Sequence, residues 1–203
     1  MAKRRRQGTR FRLLIYERMW KRWAWPCVLI IPASFALWWV VPYLGVTQTL
    51  YRALALIPAL IAFLLLVFTS MARRLAWVQC RANYLRIQTP FYPLSISYSR
   101  FKEVLPNTFY QVFDPRKEKA ARRRWLKPYW SQTAIVVRLT RYPVPLWWLR
   151  MWFSPYLLLP KVPGFVFLVD DWMGFSRQLD DFRASWETRR AERRQERLAR
   201  RIR

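Results

Sequence analysis

Two long apolar runs dominate the first third of the chain. No charged residue occurs from Trp23 to Tyr51, and after Arg52 none recurs until Arg73. About twenty apolar residues are enough to carry a helix across the hydrocarbon core of a bilayer. The pattern therefore predicts two membrane spans, near residues 23–44 and 53–72, joined by a short polar turn at 45–51. So short a turn makes the two helices antiparallel neighbours. Pro26, Pro32, Pro42 and Pro58 fall inside these runs and are tolerated in membrane helices, where neighbouring groups satisfy the freed carbonyls. Trp20, Trp23 and Trp25 at one end, and Trp38, Trp39, Tyr43 and Tyr51 towards the other, form two interfacial aromatic belts. A cleaved signal peptide is not expected, because its apolar core is shorter and ends at a small-residue site.

Beyond Arg73 and Arg74 the period changes. Residues 75–81 and 84–89 read as two strands turning at Ala82-Asn83, since Asn accepts the left-handed conformations of tight turns. Leu94, Ile96 and Tyr98 alternate with Ser95, Ser97 and Ser99, the pattern of a half-buried strand. Further strands are expected near 103–112, 133–140 and 165–169. The last element is helical: Asp170 and Asp171 supply an N-cap, and Trp172, Phe175, Leu179, Phe182 and Trp186 follow at spacings of three and four. A run of antiparallel strands ending in one amphipathic helix is an α+β arrangement. The chain thus divides into a basic segment (1–22), a two-helix hairpin (23–72), a sheet-containing domain (73–186) and an arginine-rich tail (187–203).

Composition adds a partner class. The formal charge is +26, which calls for an anionic partner: lipid headgroups, an acidic protein surface or nucleic acid. Nine basic residues precede the first span and twenty-seven follow the hairpin, whereas the turn between the spans has none before Arg52. The positive-inside rule then places both termini in the cytoplasm of a multi-pass inner-membrane protein. Arg4, Arg5 and Arg6 on one side of the hairpin, and Arg73, Arg74, Arg122, Arg123 and Arg124 on the other, are candidate contacts for anionic lipid or a partner.

The hairpin WVQCRANYLRIQT (77–89), the segment ISYSRFKEV (96–104) and the closing strand and helix (165–186) resemble the bacterial PH-like membrane proteins, in which two transmembrane helices lead into a pleckstrin-homology-like domain. The resemblance covers about 110 residues plus the anchor. It implies an antiparallel bent sheet or barrel closed by the C-terminal helix, and a binding or scaffolding role. Two departures stand out: a basic insertion at 114–125 and an unusually apolar stretch at 142–159.

That apolar stretch is the most unusual in the chain. A third span is disfavoured, because Arg150 would sit at mid-membrane, prolines interrupt the stretch, and an arginine-rich tail would be exported. Two readings stay open. In one, Trp147, Trp148, Trp152 and Phe153 enter the headgroup region while Arg150 meets lipid phosphates. In the other, these aromatics pack against the protein's own hairpin or a partner subunit. The tail carries eight arginines from Arg189 onward, with Glu192 and Glu196 among them, and reads as a solvated helix extension; nucleic acid is not an expected partner, since no binding motif accompanies the charge.

Enzymatic chemistry finds little to build on. There is no histidine, there are eleven carboxylates and four glycines, and no triad, Walker loop or dinucleotide fingerprint is present. Cys27 and Cys80 are read as small buried hydrophobes, and no metal or cofactor is expected. The sequence therefore points to a non-enzymatic, membrane-anchored interaction or scaffolding protein, the alternative being an accessory subunit that stabilises a larger integral-membrane complex.

Overall fold

The computed structural model describes residues 7–41 and 49–202, with 49–52 and 201–202 described by backbone alone. Arg4, Arg5 and Arg6, together with Pro42, Tyr43 and Leu44 and the turn at 45–48, lie outside the described residues. Two compact units emerge: one runs Ile15–Ala76, the other combines the chain up to Leu14 with everything from Trp77 onward.

The first unit holds two helices, α1 (Leu14–Val40) and α2 (Thr49–Leu75), with Pro26, Pro32 and Pro58 inside them. Both are long and apolar enough to cross a membrane. Their burial is the reverse of a soluble core. Ile15 and Tyr16 are buried in the first turn of α1; beyond it the buried positions are small: Cys27 and Ser34 on α1, and Ala55, Ala59, Ala62, Thr69 and Ala72 on α2. The large side chains face outward, including Leu29 at 62% exposed, Trp39 at 65% and Leu60 at 59%. Small residues let membrane helices approach closely where no water drives association, and so much exposed apolar surface is unsuited to water. Arg73 of α2 lies 5.8 Å from the ring of Trp20 on α1, a cation–π contact near the basic end of the unit.

The second unit is α+β. Its first sheet has the order β1-β2-β3-β4, all antiparallel: β1 (Gln7–Arg12), β2 (Trp77–Arg81), β3 (Tyr84–Gln88) and β4 (Pro93–Ser97). The expected hairpin with its turn at Ala82-Asn83 is present. β1 was not legible, because Gln-Gly-Thr-Arg-Phe-Arg carries one apolar residue and reads as a basic tail. What holds it is tertiary. It pairs with β2 from Gln7↔Arg81 to Arg12↔Trp77, and the guanidiniums of Arg10 on β1 and Arg86 on β3 stand 4.7 and 5.6 Å from the Trp77 ring on the strand between them. Gln79 Nε2 also donates to the Gly8 carbonyl at 2.7 Å.

A 3₁₀ turn, Tyr98–Arg100, follows β4 and opens the second sheet, of order β5-β6-β7, with β5 (Phe101–Thr108), β6 (Thr133–Leu139) and β7 (Gly164–Phe167). Pro106 is accommodated because β5 is an edge strand. The strand expected to reach residue 112 stops at Thr108, where the helical turn α3 (Phe109–Val112) begins. The basic insertion forms α4 (Ala120–Leu126), and the apolar stretch holds α5 (Leu146–Trp152). β7 passes so close to β6 that a Cβ on Gly164 would lie 2.7 Å from the Val137 carbonyl, which requires glycine there.

The expectation of a closed sheet is corrected. β4 and β5 are consecutive but unpaired, since the 3₁₀ turn redirects the chain between them. The two sheets meet at the Leu13↔Val169 bridge, beside which Leu14 N–H donates to the Leu168 carbonyl at 3.0 Å. The final helix α6 (Trp172–Ile202) joins them from one side. Asp171 caps it, its Oδ1 accepting from Gly174 N–H at 2.8 Å. Phe175, fully buried, meets Phe11 of β1 at 5.2 Å and Phe167 of β7 at 5.6 Å. The helix thus inserts one ring between the sheets. Phe175→Ala is expected to destabilise the protein by about 3–5 kcal/mol, and Met173→Ala, on the exposed face, by less than about 0.5 kcal/mol; chemical denaturation of the full-length protein in detergent checks both.

Candidate functional site

The residues singled out in the apolar stretch divide by helical phase. α5 turns Leu149 into the domain, and Phe153, just past its C-terminus, is 3% exposed. Trp148 and Trp152 are half-buried, while Trp147 is 65% exposed, Met151 55% exposed and Arg150 exposed. Of the five candidate interface residues, Phe153 is therefore placed in the domain core, and Trp147 and Arg150 stand outermost.

The short helix lacks a side-chain cap and is held by its aromatic face. Trp147 meets Trp148 at 5.4 Å and Trp148 meets Trp152 at 5.8 Å, both edge-on, while Phe153 reaches Phe165 of β7 at 6.2 Å. Such edge-to-face pairs add about 0.5–1.5 kcal/mol each beyond their buried area. Two further members come from the β3–β4 connection. Phe91, itself 56% exposed, lies 5.5 Å from Trp152, and Tyr92 lies 6.2 Å from Trp148 and 6.5 Å from Phe153. Sequence reasoning missed Phe91 and Tyr92. The signal was an aromatic pair flanked by Pro90 and Pro93, which marks an outward loop carrying apolar side chains. Together these residues form an exposed aromatic ridge, with Arg150 on α5 beside it. Behind the ridge, Tyr142, Leu146, Arg150 and Lys161 are among the residues lining an open cavity of about 670 Å³.

The candidate basic contacts are placed separately. Arg73 and Arg74 close α2, and Arg122, Arg123 and Arg124 lie together on the exposed face of α4. Arg122 is 4.0 Å from Glu118, and Arg123 donates to the Arg116 and Glu118 carbonyls at 3.4 Å. Exposed pairs of this kind contribute little to stability.

Groups with chemistry are few. No cluster of three His, Cys, Asp or Glu residues suited to a metal occurs among the described residues. Burial pushes the Cys80 thiol from its ordinary 9.0 up to about 12, the neighbouring Tyr98 hydroxyl opposing the shift and Asp180 adding to it. The Tyr98 hydroxyl is raised as well, chiefly by burial, and donates to the Arg81 carbonyl at 2.8 Å. Neither group is poised as a nucleophile. Asp180 is raised by burial, with Arg183 opposing and Asp181 reinforcing the shift; Asp171 acts as the helix cap.

Compared with known proteins, the chain matches no family model, no curated protein and no solved structure.

The Cys80 shift yields a test. A protonated thiol favoured by the fold contributes stability that is complete below about pH 9 and is lost as pH rises towards 12. At pH 8, with Cys27 replaced by Ala, Cys80 is expected to react with a thiolate-specific disulfide reagent at least about 100-fold more slowly in the folded protein than in denaturant. Fast reaction under native conditions would show an accessible thiolate and contradict the placement.

Proposed function

We propose that this protein is a non-enzymatic, membrane-anchored interaction or scaffolding module of PH-like type, working at the cytoplasmic face of the cytoplasmic membrane and meeting anionic lipid there. The observation that carries this reading is the pairing of β1 with β2. The two strands flank the whole helical hairpin, yet Arg12 is partnered with Trp77, and paired residues lie within about 5.5 Å of each other. Whatever membrane the two apolar helices cross, the chain must leave and return on one side of it. The excess of Lys and Arg on both sides of the hairpin selects the cytoplasmic side.

The PH-like assignment rests on element order: antiparallel sheets of four and three strands, then a helix whose buried face touches both. The aromatic ridge supplies the lipid contact. Trp, Phe and Met are the side chains that partition into the headgroup region, and Arg150 beside them suits lipid phosphate. Binding, not catalysis, is the use to which such a surface is put.

Topology is tested in cells with Cys27 and Cys80 replaced. A cysteine at Thr47 is expected to react with an impermeant reagent from outside, and one at Gln195 only after lysis; the opposite pattern would reverse the orientation.

Lipid contact is tested on the full-length protein in bilayers containing anionic lipid. A spin label at Met151→Cys is expected to be shielded from an aqueous relaxation agent and reached by oxygen dissolved in the bilayer, while a label at Gln195→Cys behaves as water-exposed. Equal aqueous accessibility at the two sites would remove the ridge from the interface. Stoichiometric protein subunits co-purifying in mild detergent and shielding the same label would favour an accessory subunit instead.

A further inference from the structure

The arginines of the tail are arranged against the body of the domain before they become a solvated extension. Arg189, Arg190, Arg193, Arg194 and Arg197 of α6, with Asn83 of the β2–β3 turn, line an open cavity of about 440 Å³ next to Trp186. At a rise of 1.5 Å per residue the five arginines cover about 12 Å of helix. Their offsets of one, four, five and eight residues place them along one face.

Two of the five are oriented by the fold. Arg189 Nη2 donates to the Ala82 carbonyl at 2.6 Å, which pins its guanidinium to the turn, and the Arg190 guanidinium lies 5.1 Å from the centre of the Trp186 ring. Among the described residues no carboxylate lies within 4.0 Å of any of the five; Glu187 is taken by Arg183 at 3.0 Å. Arginines at i and i+4 repel one another on a helix. This stretch therefore concentrates positive charge in a concave, partly preorganised setting, which Glu192 and Glu196 of the same stretch offset in part without an ion pair to any of the five among the described residues.

We propose that this concavity binds a ligand bearing two or more adjoining phosphate groups, through its arginines and Asn83. The guanidinium fork matches phosphate oxygens bidentately. A single carboxylate offers one fork site and one charge, whereas a phosphate ester carries roughly −1.5 to −2 and three acceptor oxygens, so adjoining phosphates answer the number of donors present. Single-stranded nucleic acid is less suited, because such strands need an open aromatic face for stacking. Trp186 is half-buried, covered by Arg190 and set against Tyr98 at 6.3 Å. The phosphates can belong to a lipid headgroup or to a soluble compound. The site is distinct from the aromatic ridge and stands whether or not the ridge meets lipid.

The test is titration of inorganic pyrophosphate into the full-length protein in phosphatidylcholine nanodiscs at about 0.15 M salt, where weak long-range attraction is screened. Saturable binding is expected. The double substitution Arg193→Gln/Arg194→Gln should weaken it at least about tenfold, while Lys102→Gln/Lys127→Gln, which removes the same charge from exposed positions elsewhere on the domain, should change it by less than about twofold. Among the described residues it is Arg189, and neither Arg193 nor Arg194, that hydrogen-bonds the turn, so the thermal midpoint is expected to be unchanged and a loss of binding is not a loss of fold. Repetition in nanodiscs containing a lipid with a diphosphate headgroup, such as CDP-diacylglycerol, with phosphatidylglycerol nanodiscs matched in surface charge as the reference, separates the sources: suppression of pyrophosphate binding in the unsubstituted protein beyond that seen with phosphatidylglycerol identifies lipid headgroups, and equal binding in the two identifies a soluble ligand. Absence of saturable binding, an equal loss in both double variants, or tighter binding of a single-stranded RNA that fails with the same two substitutions would each overturn the proposal.

Discussion

The backbone ladder between β1 and β2 is the constraint on which the rest of this architecture hangs. An edge strand leaves half of its N–H and C=O groups without a partner, and those of β2 are answered by residues that lie on the far side of the hairpin in sequence. Trp77, with a guanidinium from each neighbouring strand near its ring, adds side-chain contact to the ladder. Once this pairing forms, the hairpin is an insertion into a sheet and not an anchor placed ahead of a domain. Its two ends are bound to adjacent positions, and the strand that precedes it also supplies Phe11 to the ring of Phe175.

The two units bury opposite things. In the sheet unit, Ile87, Ile135, Phe165 and Phe175 are fully buried, as the hydrophobic effect demands in water. Past the first turn of α1, where Ile15 and Tyr16 are buried, the helical unit buries Ala, Ser, Thr and Cys and turns most of its Leu, Phe, Ile and Trp outward. That sorting is the one expected of helices apolar enough to cross a membrane, where close packing of small residues takes the place of burying large ones. The two units thus differ in what they bury, and charge falls between them in the sequence: Arg73 and Arg74 close α2 just before β2 begins.

Two exposed surfaces of the sheet unit differ in chemistry. The ridge around Trp147, Met151 and Phe91 is aromatic and contiguous, built by α5 and the β3–β4 connection. The concavity beside Trp186 is guanidinium-rich, built by α6 and the β2–β3 turn. Both use connections that an antiparallel meander must have in any case. Functional side chains on such turns are held by the sheet beneath them without disturbing its core.

Reading residues in order was enough for whatever depends on local period and sign. Uncharged runs of about twenty residues mark the helices, alternation at 94–98 marks β4, and the spacing from Trp172 to Trp186 marks the buried face of α6. These patterns are legible because backbone geometry and burial impose them on neighbouring residues. Four elements and one seam were not legible in that way. β1 has one apolar residue and exists only because β2 and α6 receive it. The short helices α3, α4 and α5 interrupt strand connections where propensity alone says little. The open seam between β4 and β5 follows from a three-residue turn. The candidate residues show the same division: composition singled out Trp147, Arg150 and Phe153 alike, but the structure leaves the first two exposed and turns Phe153 inward, and it brings Phe91 to Trp152 from more than fifty residues away. Which face of α5 meets the core is a property of the β7 surface beneath it. Contacts between residues distant in sequence decide such matters, and only the tertiary structure contains them.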